Sequence, residues 1–376
     1  MSKSDPNRLT IKREFSIPGI AFCVERVPET GQLYFGNSDF KVYEVDALAE
    51  KPESKAFESE GHNSYVMGVA LASGSLVSGS YDGKLIWWDR EKREPARTVD
   101  AHGRWIRRVM SSPDGKLVAS VADDMVGKLW NAESGEVVHT LKDHKEETPN
   151  NYPSMLYAVA FSPDGKLLAT GDKVGHVAIW NVESGEKVGE VESPGMYTWD
   201  PRQRRHSIGG IRSLAFSQDS KLLAVGGIGN IGNIDHLGGP SRVELFDWQK
   251  KESIHVMEDS KMKGLVEQMV FDPAGKWLLG AGGDHGGFVN LYNPEDGKLL
   301  KQVKAPMHVH EFVMNEDANT IFAAGHGKIA QVDFLTEDAE KARDEAAKKA
   351  AEEKAKAEAE AKAAEEKAKE EAKKQA

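Results

Sequence analysis

A single cysteine in 376 residues leaves the chain with no internal disulfide, which excludes a disulfide framework and fits a reducing compartment. Cys23 lies in the apolar stretch Ile20-Ala21-Phe22-Cys23-Val24 and reads as a small core residue. Long apolar runs are missing too. The first thirty residues hold none of signal-peptide length and no later segment could span a bilayer, so a soluble cytoplasmic protein without a membrane partner is expected. Basic charge is in deficit: 49 Lys and Arg stand against 60 Asp and Glu, a formal net charge of −11. No broad basic stripe faces a phosphate backbone, so nucleic acid is not an expected partner. No Walker-type glycine loop, nucleophile elbow or HExxH occurs, and no cofactor is expected.

What the chain does have is repetition. The stretch SGSYDGKLIWWD over residues 78–89 reads as a strand, a turn at Asp82-Gly83, and a second strand ending in Trp88-Asp89. Related strand ends fall at Val45-Asp46, Trp130-Asn131, Trp180-Asn181, Phe246-Asp247, Tyr292-Asn293 and Val332-Asp333, at steps of 43, 42, 50, 66, 46 and 40 residues. A period near forty marks an array of supersecondary units. Ser112-Pro113-Asp114-Gly115-Lys116 recurs letter for letter as Ser162-Pro163-Asp164-Gly165-Lys166, with weaker copies at 217–221 and 272–276. Proline presets φ, Asp bonds its own backbone and Gly accepts φ > 0, so each joins two antiparallel strands. Further turns follow the aromatic strand at Glu133-Ser134-Gly135-Glu136, Glu183-Ser184-Gly185-Glu186 and Glu295-Asp296-Gly297-Lys298, giving four short strands per unit. Sheets of this kind stack radially around a channel and cover each other's apolar faces, which makes the expected fold an all-β propeller.

On these residues, residues 9–335 resemble the WD40-repeat family, and the expectation is a seven-bladed WD40-type β-propeller closed by an N-terminal strand. Leu9-Thr10-Ile11-Lys12-Arg13-Glu14-Phe15 supplies that strand, and joining the chain ends in one sheet removes an exposed edge. The resemblance implies a structural tetrad of His, Ser or Thr, Asp and Trp in each regular blade. Carried over, these are His62, Ser78, Asp82 and Trp88 in one blade and His102, Ser120, Asp124 and Trp130 in the next. Such a set could in principle activate a nucleophile, but buried between strands its polar atoms satisfy one another and pin the turn. The first unit keeps Asp39 at the turn, the fourth has Val174 there, and units five to seven lack a full set.

Function is expected on loops, because the blades are occupied with packing. Extra residues fall at about 145–155, 192–210, 228–241 and 282–287, and the resemblance places all four on one face, over blades three to six. The second insertion carries Tyr197, Trp199, Arg202, Arg204 and Arg205, and the first carries Tyr152. Aromatics and arginines are enriched at binding hot spots, and an arginine island suits an acidic or phosphorylated protein or peptide. The blander reading is a long loop folded back on Trp199. An alternative is a metal-dependent hydrolase, with Asp235, His236, Asp284 and His285 converging at the channel mouth, although their spacing matches no metal motif. The expectation adopted is a non-catalytic scaffold.

Residues 1–8 read as a flexible lead. From Thr336, an N-cap candidate, residues 336–376 are almost only Ala, Glu and Lys, with acid-to-base pairs four apart from Glu337/Lys341 to Glu370/Lys374. A charged helix of roughly 60 Å is expected at about 1.5 Å per residue. From Glu337 onward it has no Leu, Ile or Val, so a coiled-coil seam has little to bury and a monomer is favoured over a tail-mediated oligomer.

Overall fold

The computed structural model describes residues 3–58, 60–201, 206–232, 237–346 and 348–349. The unit foreseen over 78–89 forms as a hairpin, Ser75–Ser80 pairing with Lys84–Asp89 through Ser78↔Ile86 and Gly79↔Leu85. Its turn needs Gly83, at φ +80°, and the Asp82 carboxylate accepts the Lys84 N–H at 2.9 Å. The Ser-Pro-Asp-Gly-Lys turns work similarly: the Ser112 hydroxyl donates to Asp114 at 2.7 Å and accepts the Leu117 N–H at 2.9 Å. Ser162 and Ser217 repeat both bonds.

Five four-stranded antiparallel sheets cover residues 66–100, 106–142, 156–192, 211–263 and 265–305. A six-stranded sheet runs in the order Val309–Met314, Thr320–Asp333, Thr10–Arg26, Gln32–Asn37, Val42–Asp46 and Lys55–Ala56. The propeller among the described residues thus has six principal sheets, which corrects the expected seven separate blades. The cause lies in the strand Thr10–Arg26. Its first part pairs with residues 326–333 and its second with Gln32–Asn37, bending at Pro18-Gly19, where Gly19 takes φ +52°. The first and last repeats therefore share one continuous sheet in which the two ends of the propeller meet.

Neighbouring sheets bury their faces on each other. Val77 and Trp87 of one sheet pack with Val109, Val118 and Trp130 of the next, and the Trp87 indole donates across to the Ala132 carbonyl at 2.8 Å. The innermost strands Thr10–Arg26, Val66–Ala72, Ile106–Ser111, Leu156–Phe161, Ile211–Phe216, Leu265–Phe271 and Val309–Met314 neighbour one another in a closed ring. Cys23 is buried on the first of these.

Residues 3–8, expected as a flexible lead, are tied down. Pro6–Arg8 forms a 3-10 turn capped by Asp5, whose N–H donates to the Phe334 carbonyl at 2.7 Å, and Lys3 pairs with Asp317 at 2.8 Å. Of the expected long tail helix the structure describes 337–346 and 348–349, which are helical; residues 350–376 lie outside the described ones. Thr336 caps it, its hydroxyl accepting the Ala339 N–H at 3.3 Å, and Arg343 reaches back to Asp333 at 2.6 Å. Among the described residues no helix is long and apolar enough to cross a membrane.

Candidate interaction face

The strand and turn positions bring His62, Ser78, Asp82 and Trp88 together. The Asp82 carboxylate only accepts, so His62 Nδ1, 3.0 Å away, carries the proton. His62 Nε2 then accepts from the Ser78 hydroxyl at 2.7 Å, and Ser78 Oγ accepts the Trp88 N–H at 2.8 Å. His102, Ser120, Asp124 and Trp130 repeat this at 3.1, 2.7 and 2.8 Å. Burial would raise the Asp82 and Asp124 carboxyls, but the histidine bonds outweigh it and both sit below the usual range. Each serine hydroxyl is fully buried, donating its proton to the imidazole and accepting from the indole, so it has no exposure to solvent.

A third network escaped the sequence reading. His144 Nδ1 meets Asp172 at 2.9 Å, His144 Nε2 meets the Thr170 hydroxyl at 2.8 Å, and Trp180 donates to Thr170 at 3.0 Å. Asp172 stands two positions before Val174, where an acid was sought, and does the work from the strand end. The signal available was the Thr170-to-Trp180 spacing of ten, shared with Ser78-to-Trp88.

Three of the four insertions meet. Tyr197–Asp200 and His206–Gly209 form a hairpin; the Tyr197 hydroxyl bonds Asn150 at 2.8 Å, and the Trp199 ring lies 5.2 Å from that of Tyr152. The Ile231 N–H donates to the Thr198 hydroxyl at 3.1 Å, drawing in the third insertion. Arg202, Arg204 and Arg205 lie outside the described residues, as do Asp235 and His236. Residues 282–287 make only a tight turn, Gly283 pairing with Gly287, in which His285 bonds its neighbour Asp284 at 2.8 Å and is exposed. Among the described residues Asp284 and His285 join no third metal-ligating side chain.

More informative is an arc of aromatics and arginines around the channel mouth, which the sequence reading missed. Trp105 stacks on Tyr81 with centroids 4.6 Å apart, and Tyr81 lies 5.8 Å from Tyr65, which in turn meets Phe22 and Phe40. Arg107 spreads over Tyr81, Trp105 and Tyr157 at 4.8 to 5.2 Å, and Arg212 sits 3.6 Å from the Tyr157 ring centre. Asp123 grips Arg107 with two bonds, 2.8 and 2.6 Å. Burial disfavours the Arg107 charge, yet Asp123 outweighs it and its pKa is raised. Behind the arc, burial and then Arg212 lower the Lys173 pKa. Trp105 is 50% exposed and Tyr65 and Phe40 are each 41% exposed, far more than packing requires of such rings. A cavity of about 240 Å³ opens inside the arc, its lining including Phe22, Tyr81, Arg107, Tyr157, Arg212, Glu267 and His310. Met155, closing the first insertion, touches Arg107, so arc and insertions form one surface. The sequence signal was an offset: Tyr65 and Trp105 each follow a tetrad histidine by three residues, and Tyr81 and Asp123 each precede a tetrad aspartate.

Residues 54–89, 93–131 and 135–181 match the family described as WD domain, G-beta repeat. Among curated relatives, the chain is 40% identical over 72 residues to nuclear distribution protein PAC1-2 of Uncinocarpus reesii, covering 19% of this chain and 16% of that protein. It is 34% identical over 70 residues to the Notchless protein homolog of Arabidopsis thaliana, 18% of this chain and 15% of that one. It is 34% identical over 103 residues to small ribosomal subunit protein RACK1z of Oryza sativa subsp. japonica, 27% and 29% respectively. These matches span less than a third of each relative's length. With three repeats matched in sequence inside an all-β propeller whose His-Ser-Asp-Trp networks close, the chain is a WD40-repeat protein.

Proposed function

We propose that the protein is a non-catalytic scaffold that takes a protein or peptide segment, acidic or phosphorylated, across its loop-enlarged face. The observation that carries this is the exposed arc of Trp105, Tyr65 and Phe40 around a mouth set with Arg107 and Arg212. Rigid aromatic anchors beside guanidinium groups are the composition of interface hot spots. Tyr152 and Trp199 extend the surface outward. The hydroxyls of Ser78, Ser120 and Thr170 are engaged inside the buried networks, so the histidine-serine or histidine-threonine pairs there serve structure.

The test is affinity capture from native extract with four full-propeller baits: wild type, Tyr65→Ala/Trp105→Ala, Trp199→Ala, and a chain ending at Leu335. Proteins lost with the double variant but retained by the truncation, and competed by an acidic or phosphorylated peptide from the captured protein, support the reading. Retention of every partner by the double and the Trp199 variants sinks it. Selective loss with the truncation transfers the binding role to the tail.

A further inference from the structure

We propose that His308, His310 and His326, with the Glu267 carboxylate beside His308, form a binding site for one first-row divalent cation, zinc or a close neighbour, at the rim of the channel. His308 and His310 flank Val309, which packs in the core at the start of the strand Val309–Met314, and their two imidazoles lie together. His326 arrives from the bend within Thr320–Asp333. That approach is possible because residue 325 is glycine: a Cβ there would stand 1.8 Å from the His308 carbonyl oxygen. The ring centroids of His308 and His310 are 4.4 Å apart, and those of His310 and His326 are 5.0 Å apart. Each ring offers one nitrogen, with all three within 4.8 Å of one another, and the Nε2 atoms of His310 and His326 are 3.0 Å apart. Donors about 2.1 Å from a tetrahedral zinc ion stand ~3.4 Å apart, within this range.

His308 gives the direction. Its Nδ1 lies 3.0 Å from the Asp284 carbonyl oxygen, which only accepts, so that nitrogen bears the hydrogen. Its Nε2 is buried without a hydrogen-bond partner, and the Glu267 carboxylate stands 3.5 Å from it. A neutral imidazole so oriented aims a lone pair at an anion, and a cation between them satisfies both. A carbonyl holding the far nitrogen is the usual support of a metal-bound histidine. Three imidazoles are a donor set for zinc and its first-row neighbours, and the Glu267 carboxylate beside His308 supplies counter-charge. His326 is exposed and leaves an entry path.

The other cluster of ligating groups, Asp143, His176 and Glu190, does not share these features. Lys187 lies between its carboxylates, 2.7 Å from Asp143 and 2.9 Å from Glu190, and both His176 nitrogens already face acids, Asp143 at 2.8 Å and Glu192 at 2.6 Å. There the chain supplies its own cation.

The experiment uses the tag-free full chain, stripped with EDTA and titrated with Co²⁺ and then Zn²⁺, followed by visible absorption and calorimetry. The expected result is one Co²⁺ per chain with d–d bands, displaced by one Zn²⁺, and a melting midpoint raised by either ion. His326→Ala, a substitution of an exposed side chain, weakens uptake roughly tenfold or more, while His176→Ala leaves it unchanged. Equal uptake by His326→Ala and wild type, or loss in His176→Ala instead, overturns the assignment. So does the absence of saturable uptake, which would make His308 an imidazolium paired with Glu267.

Discussion

Thr170→Val is the sharpest perturbation of the buried networks, because it deletes one oxygen and leaves the shape of the side chain intact. Thr170 is fully buried; its hydroxyl donates to His144 Nε2 at 2.8 Å and accepts from the Trp180 indole at 3.0 Å. Valine fills the same volume, so no cavity contributes. What remains is two buried polar atoms without partners, each costing about 1–3 kcal/mol, for a loss of about 2–6 kcal/mol in all. Thr170→Ser is the counterpart: it keeps both bonds and removes one methyl, a loss of about 1 kcal/mol. Denaturant unfolding followed by tryptophan fluorescence measures both, compared at equal m-values so that the midpoint shift reports stability. The network predicts that the valine variant is the less stable of the two by a clear margin. If it matches or exceeds the serine variant, water or rearrangement is satisfying His144 and Trp180, and the argument that these hydroxyls are committed to structure fails with it.

Glu25 offers a pH test: burial, with the nearby Glu311 carboxylate adding to it, raises its pKa to about 7 from an ordinary 4.5. The unfolded chain releases this proton first, so the Glu25 contribution to stability falls as pH rises from about 4.5 to 7 and is flat above; Glu25→Gln should remove that slope and gain about 3 kcal/mol at pH 8, read by denaturant midpoints across pH. Asp123→Ala leaves Arg107 buried without its carboxylate and should cost about 3 kcal/mol, whereas Arg107→Met/Asp123→Leu should recover most of it; equal stability of the single and double variants would contradict the pairing. Gly325→Ala drives a methyl into the His308 carbonyl and should lower the melting midpoint, while alanine at Gly103, which has open space around it, should not.

The repeats were legible because their signals are local. The Ser-Pro-Asp-Gly-Lys turns and the strand-ending aromatics each act within a dozen residues, and the strands end where those signals put them, at Asp46, Asp89, Asn131 and Asn181 among others. The seven-sheet count failed for an equally specific reason. Composition cannot tell a strand that stops at Pro18-Gly19 from one that bends there and continues, and continuity merges the first repeat with the last. The third network was hidden by a two-residue displacement: Asp172 pairs with Leu156 in the ladder and meets His144 across the first insertion, a relation fixed by register and not by offset. The channel mouth was least legible. Tyr81, Arg107, Tyr157, Arg212, Glu267 and His310 come from different repeats and acquire a common surface only when the ring of inner strands closes. That distribution has a functional consequence. Each repeat contributes one or two side chains to the rim, so under the proposed binding role substitutions within a single repeat would change what the face takes while the turn and network residues that hold the sheet stay in place.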